Sequence, residues 1–295
     1  MRDYILDFME YSDYPVEARE TLIVAFELAA GDAECNRIMQ EIADEYEKNA
    51  DMNYNLLFDG AVTISERIGV SEYTVDLLLF MILTRGLRRR YDKRGFSEDM
   101  YRGAVLDLKW KLLECHGVKG VWGSFVKEWL VGWFRVARFA FGRLQYELCS
   151  FGREYEHCGV VLKPEDKAVF VHIPRSLEPL SAESVDLSLC MAREFFAGDF
   201  NGGQVVFCCS SWMLYPDNLE FLSPLSNTAK FAARFDIISS DTDDDGKYPN
   251  AWRVFNQEFN GDTSKINPTT KIGSALLEHY KRGGKMGSGF GILLM

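Results

Sequence analysis

Apolar residues in the first 138 positions recur at helical spacing. Leu22, Phe26 and Ala29 lie on one stripe that stops at Gly31. Ile38, Ile42 and Tyr46 form a second stripe, and Leu57, Ala61, Ile64 and Ile68 a third. Ser71 is placed to cap a further helix whose run Leu77-Leu78-Leu79-Phe80-Met81-Ile82-Leu83 is apolar all round and so predicts burial. After the Gly95 break the pattern predicts a helix over Asp99 to Leu113, and a last one over Phe125 to Arg138.

Near residue 139 the period changes to two. Leu144, Tyr146 and Leu148 alternate with Arg143, Gln145 and Glu147, which predicts a half-buried strand. Tyr155 to Val161 is expected as its neighbour. Val169 to Ile173 reads as a buried strand ending at Pro174. Ser181 then caps a helix with the stripe Val185, Leu189, Ala192 and Phe196, ended by Gly198 and Gly202-Gly203. Gln204 to Cys209 is a strand, and Asp217 to Phe235 is helical with a break near Pro224. Ile237-Ile238 opens a strand, and Trp252 to Phe259 is expected as another. Thr269 to Lys281 is a final helix, before a short last strand at Phe290 to Leu293. The sum is an α/β (α+β) chain, with an all-helical N-terminal domain over 1–130 and a mixed-sheet domain over 131–295.

Composition narrows the function. The 295 residues suit two domains at about 150 residues each. Aromatics at 14% argue against disorder. A net charge of −11 disfavours a protein that coats nucleic acid. The acidic start MRDYILDFMEYSDY has no signal-peptide layout. No apolar run approaches the ~20 residues of a membrane span. Seven cysteines with no repeated spacing fit reduced thiols, so a cytoplasmic location is expected. No CxxC or HExxH pair suggests a metal.

Several stretches together point further. They are Phe141-Gly142-Arg143-Leu144-Gln145-Tyr146-Glu147, Val171-His172-Ile173-Pro174, Ser211-Trp212, Ser226-Asn227-Thr228-Ala229-Lys230-Phe231, and Gly283-Gly284-Lys285-Met286-Gly287-Ser288-Gly289-Phe290-Gly291. In this order the chain resembles a bacterial two-domain acyltransferase-like family: a helical N-acyltransferase N-terminal domain followed by a GNAT-like domain. The resemblance implies an acyl-CoA-dependent N-acyltransferase, with acetyl-CoA or another acyl-CoA as co-substrate and a small-molecule or peptide amine as acceptor. It implies that the loop after the fourth core strand binds the CoA pyrophosphate through backbone N–H groups. Here that strand end and loop run Val171, Ile173, Arg175, Ser176 and on to Ser181. The family's usual basic–x–x–Gly–x–Gly/Ala pattern is absent, since Pro174 to Ser181 contains no glycine.

Transfer to an amine needs a base, a donor for the thioester oxyanion and an acid for the leaving thiolate. His172 and Glu147 are the base candidates. The bland alternatives are a buried histidine satisfied by a carbonyl, and a strand-face carboxylate paired with Arg143. GNAT enzymes often carry a Tyr acid where this chain has Phe231, so Ser211 and Tyr215 are the substitute candidates.

Other signals have simpler readings. Ile64 to Val75 has helix-turn-helix spacing, but Glu72 and Asp76 repel phosphate. Arg85, Arg88, Arg89, Arg90, Lys93 and Arg94 form a basic cluster at a helix end, which either meets the CoA 3′-phosphate or complements the helix dipole. Asp241 to Gly246 matches half an EF-hand loop, but position twelve is Trp252, so a hairpin connection is expected. Cys208-Cys209 reads as buried packing. The glycines from Gly283 onward are expected to cap a helix, or else to line the site. The leading expectation is an acyltransferase. The alternative is a GNAT-shaped binding protein without CoA chemistry, and behind it a DNA-binding regulator.

Overall fold

The computed structural model describes residues 1–157, 159–201, 203–243 and 248–295, with the backbone alone at 219 and 220. Contacts divide the chain into two compact units, Met1–Phe139 and Ala140–Met295.

The first unit is helical: α1 (Arg2–Tyr11), α2 (Val16–Gly31), α3 (Ala33–Lys48), α4 (Asn55–Ile68), α5 (Glu72–Lys93), α6 (Glu98–Lys119) and α7 (Lys127–Phe134). The three sequence stripes are its buried faces: Leu22, Phe26 and Ala29 on α2, Ile38, Ile42 and Tyr46 on α3, and Leu57, Ala61 and Ile64 on α4. Asp32 caps α3 by accepting from the amides of Glu34 and Cys35, and Arg67 from α4 grips the same carboxylate. Every residue of α5 from Thr74 to Thr84 is buried. A helix packed on all sides cannot enter a DNA groove, so the helix-turn-helix reading falls and the helical hairpin stands. α7 is shorter than expected. Val136 turns into the left-handed region (φ 54°), and Arg138 already begins a strand.

Three arginines of the basic cluster are engaged within the unit. Arg88 pairs with Asp92 and Glu98, Arg89 with Glu47, and Arg90 reaches the Tyr46 carbonyl and stacks over its ring.

The second unit is built on strands β1 (Arg138–Phe141), β2 (Leu144–Ser150), β3 (Tyr155–His157), β4 (Val160–Leu162), β5 (Lys167–His172), β6 (Val206–Ser211), β7 (Asp236–Thr242) and β8 (Gly287–Leu294). Six form one mixed sheet in the order β1-β2-β5-β6-β8-β7. Tyr155 to Val161 is not β2's neighbour: it folds on itself as the β3–β4 hairpin around Gly159 (φ +81°). Helix α8 (Ala182–Phe196) follows β5 and buries Val185, Leu189, Ala192 and Phe196 as its stripe predicts. Its Ser188 hydroxyl donates to the Phe141 carbonyl, accepts from the Leu144 amide at 3.2 Å and bonds Tyr146, tying helix to sheet. A short 3-10 turn, α9 (Pro216–Phe221) and α10 (Asn227–Ala232) join β6 to β7.

Trp252 to Phe259 is not a strand. Ala251–Phe255 forms helix α11, because Ala251 and Phe255, one turn apart, enter a core with Trp212, Ile266, Leu276 and Met286. Asn256 ends it in the left-handed region (φ 55°). The loop before it includes Asp244, Asp245 and Gly246, which lie outside the described residues. α12 (Lys271–Lys281) then leads to β8, which starts at Gly287. The β8 glycines serve packing: a Cβ at Gly289 would lie 2.2 Å from the Leu214 carbonyl oxygen.

Candidate active site

The site begins at an interruption in the sheet. β5 pairs along its whole length with β2, and β6 along its whole length with β8. Between themselves, β5 and β6 run parallel and register only at Val169/Phe207 and Phe170/Cys208. Beyond those pairs the strands part, so Val171 and His172 face Cys209, Ser210 and Ser211 without a ladder. Where a parallel ladder stops this way, the main-chain groups beyond it make no strand-to-strand bond between the two.

Register and alternation say which side chains meet there. Gln145 stands opposite His172, and Glu147 opposite Phe170, so all four share a face. His172 is half-buried, with Nε2 3.6 Å from Glu147 Oε2 and its ring stacked on Phe170 at 4.8 Å. Glu147 therefore turns to His172 and not to Arg143. Val171 points the other way into the core, opposite Tyr146.

The remaining candidates are scattered. Ser211 accepts from the Met213 amide at 3.2 Å, capping the 3-10 turn. Tyr215 is buried, and its hydroxyl lies 3.1 Å from Asp217 Oδ2 and 2.7 Å from Thr242 Oγ1 at the edge strand β7. Two strands therefore separate it from β5. Phe231 is fully buried against Phe235. Ser210, which the sequence reading passed over, is exposed on the same face as Phe170 and His172. A signal was present in the strand pattern: two residues beyond buried Cys208, it is the first polar position on that face.

The loop from Pro174 to Ser181 leads out of the gap into α8. Ser181 caps the helix by accepting from the Ser184 amide at 3.2 Å. Losing such a cap costs about 1 kcal/mol, so Ser181→Ala is expected to lower unfolding free energy by that amount, measured by denaturant titration. The Ser176 hydroxyl accepts from the Glu178 amide, and Arg175 reaches the Asn256 side chain. Ile173 is half-buried at the loop's start. The Glu183 carboxyl is held below the usual carboxylate range by its own amide and the Ser181 hydroxyl. The amides of Arg175, Ser176 and Leu177 donate to no group among the described residues. Consecutive unbonded amides ahead of a helix N-terminus suit an anion. Beneath this loop lies Arg143, buried, with burial drawing its pKa below the ordinary arginine value.

The thiols are structural. Cys208 and Cys209 are buried; Cys149 Sγ donates to the Ala168 carbonyl at 3.5 Å, and its interaction with Cys208 draws the Cys149 thiol down and pushes the Cys208 thiol up. Among the described residues no group of three metal-ligating side chains converges.

Residues 3–136 match the model of the N-acyltransferase N-terminal domain, and residues 139–293 that of the GNAT-like C-terminal domain. The chain belongs to the family that joins these two domains. Among solved structures this family fold recurs in an acyltransferase in complex with decanoyl-CoA and teicoplanin. That protein is 19% identical, with 98% of this chain and 86% of that chain covered and a TM-score of 0.76. An acyltransferase mutant in complex with octanoyl-CoA is 18% identical, with 99% and 87% covered and a TM-score of 0.77. A complex with CoA and 10C-teicoplanin is 18% identical, with 98% and 86% covered and a TM-score of 0.76. At these identities the likeness is one of fold. No curated protein sequence matches the chain.

Proposed function

We propose that this chain is an acyl-CoA-dependent N-acyltransferase of GNAT type, acting on a small-molecule amine. The parted ends of β5 and β6, with His172 and Glu147 beside the gap and three unbonded amides at its mouth, carry the reading. The acyl-CoA pyrophosphate meets the amides of Arg175, Ser176 and Leu177, with the Arg175 guanidinium at its edge. The family supports this placement, and so do the decanoyl-CoA and octanoyl-CoA held by its structural relatives. Teicoplanin in a relative's complex supports a small-molecule acceptor for this chain.

His172 takes a proton from the acceptor ammonium, directly or through water. The amine nitrogen attacks the thioester carbon and forms the amide bond. The carbon–sulfur bond breaks, and CoA leaves as a thiolate that collects the second proton released by the attacking nitrogen. A thiol of ordinary pKa, about 8.5, leaves without a strong acid, so Phe231 in place of a tyrosine does not block the reaction. The six described cysteines are free thiols, which suits the cytoplasm.

Calorimetry with CoA tests the reading. Micromolar binding is expected, and Arg175→Glu should weaken it about tenfold, since reversing one surface charge beside a phosphate is worth about 1–2 kcal/mol. No heat and no thermal stabilisation at millimolar CoA would remove the acyltransferase reading. It would leave the GNAT-shaped binding protein, which the buried Phe231 and the glycine-free loop favour.

A further inference from the structure

We propose that Arg143 is the positioning residue of the CoA phosphate loop, holding in this chain the shape that glycines allow in the usual pattern. The inference rests on the acyl-CoA reading above and names the group that makes the site work.

Arg143 sits in the turn between β1 and β2, just after Gly142 in the left-handed region (φ +58°). Extending the β2–β5 register by one pair on the same face places it opposite Pro174. Its side chain does not follow the solvent-facing pattern that alternation suggests. It is 7% exposed. Nε donates to the Glu178 carbonyl at 3.0 Å, and Nη1 to the Pro174 carbonyl at 2.9 Å. The two acceptors lie four residues apart, so one rigid fork spans the loop and fixes its width.

The loop's donors follow from this. Among the described residues no peptide bond is cis. In a trans peptide the carbonyl and the following N–H point in opposite directions. With the Pro174 carbonyl turned down to Arg143, the Arg175 N–H is turned away from it, and the Ser176 and Leu177 amides that follow are likewise unbonded among the described residues. Glycine ordinarily lets a phosphate loop reach such a shape through its backbone freedom. Here a side chain imposes it from beneath.

Charge works in the same direction. Both hydrogen bonds of the guanidinium go to neutral carbonyls, and the Glu178 carboxylate acts on it only through space. A buried cation beneath a loop with unbonded amides adds attraction for an anion above, where screening by water is reduced. It offsets the exposed carboxylates of Glu178 and Glu183, the feature of this loop least suited to phosphate.

The test uses octanoyl-CoA and octanoyl-pantetheine, which keeps the acyl and pantetheine arms and lacks every phosphate. Both are titrated into wild type, Arg143→Lys and Arg143→Met. Losing charge-assisted hydrogen bonds from a buried group predicts about 30-fold weaker octanoyl-CoA binding for Arg143→Met. Arg143→Lys, which keeps the charge but spans one carbonyl, should weaken it about fivefold. Octanoyl-pantetheine affinity should stay within about twofold throughout. Equal losses for both ligands would make Arg143 a residue of fold only and overturn the proposal. Unchanged octanoyl-CoA affinity in Arg143→Lys would overturn it even if Arg143→Met does not fold. A wild type that binds neither ligand would overturn the acyl-CoA reading itself, and the proposal with it.

Discussion

Replacing His172 by Ala is expected to lower kcat for amine acylation about a thousandfold, the middle of the range for losing a positioned general base. Affinity for acyl-CoA should stay within about twofold, because His172 lies on a strand face and not in the phosphate loop. The expectation rests on where β5 ends. His172 is its last residue, beyond the point where β5 and β6 stop pairing. Phe170 stacks on the imidazole from below, and Glu147 stands 3.6 Å from Nε2. That separation is too long for a strong hydrogen bond but close enough for charge to act. The carboxylate therefore steadies the imidazolium once it has taken the proton. Glu147→Gln keeps the shape and removes the charge, so a smaller loss, about tenfold in kcat, is expected. Single-turnover rates with octanoyl-CoA and an accepted amine measure both. A His172→Ala rate within threefold of wild type would strip the residue of its role as base.

Local pattern was informative wherever an element's fate depends on its own residues. The stripes of α2, α3 and α4 and the Ser181 cap of α8 were all legible, because burial of a helix face and satisfaction of a cap are decided within a few turns. Pairing was less so. Tyr155 to Val161 carries strand residues, yet no local signal says whether they join β2 or fold on themselves. Trp252 to Phe259 is too short for its period to separate helix from strand, and the core around Trp212 and Met286 decided it. For the candidate site, His172 and Glu147 were legible as chemistry but not as neighbours, since their approach depends on the β2–β5 register. Arg143 was invisible as a buried residue. Its alternation says solvent, and only the distant loop arriving above it changes that.

Asp76 illustrates the same limit in the helical unit, and its burial predicts a pH-dependent stability. Sequence places it about one turn into α5 as an acidic residue near a helix start, a setting that ordinarily favours ionisation. The structure buries it to 1% exposure, and its Oδ1 accepts no hydrogen bond. Lys127 lies 3.6 Å from Oδ2 but is itself engaged by Glu72 at 2.5 Å, and Glu128 adds further negative charge. Desolvation outweighs the lysine, and the carboxyl is pushed up to about 7. The folded state thus holds this proton more tightly than the unfolded chain, where an aspartate titrates near 4. The stability this gives is complete below about pH 4 and is lost as pH rises through about 7. At about 1.4 kcal/mol per pH unit over that window, the ceiling is about 4 kcal/mol. Asp76→Asn has no carboxyl to ionise. It should match wild type within about 1 kcal/mol at pH 4.5 and exceed it by about 2–4 kcal/mol at pH 8.5, in urea titrations followed by helix circular dichroism. Lys127 keeps its Glu72 partner in the variant, so the difference between the two proteins reports the carboxyl alone. A gap that does not change with pH, or a wild type that is the more stable protein at pH 8.5, would mean that Asp76 stays ionised within the helical unit and that Lys127 compensates its burial.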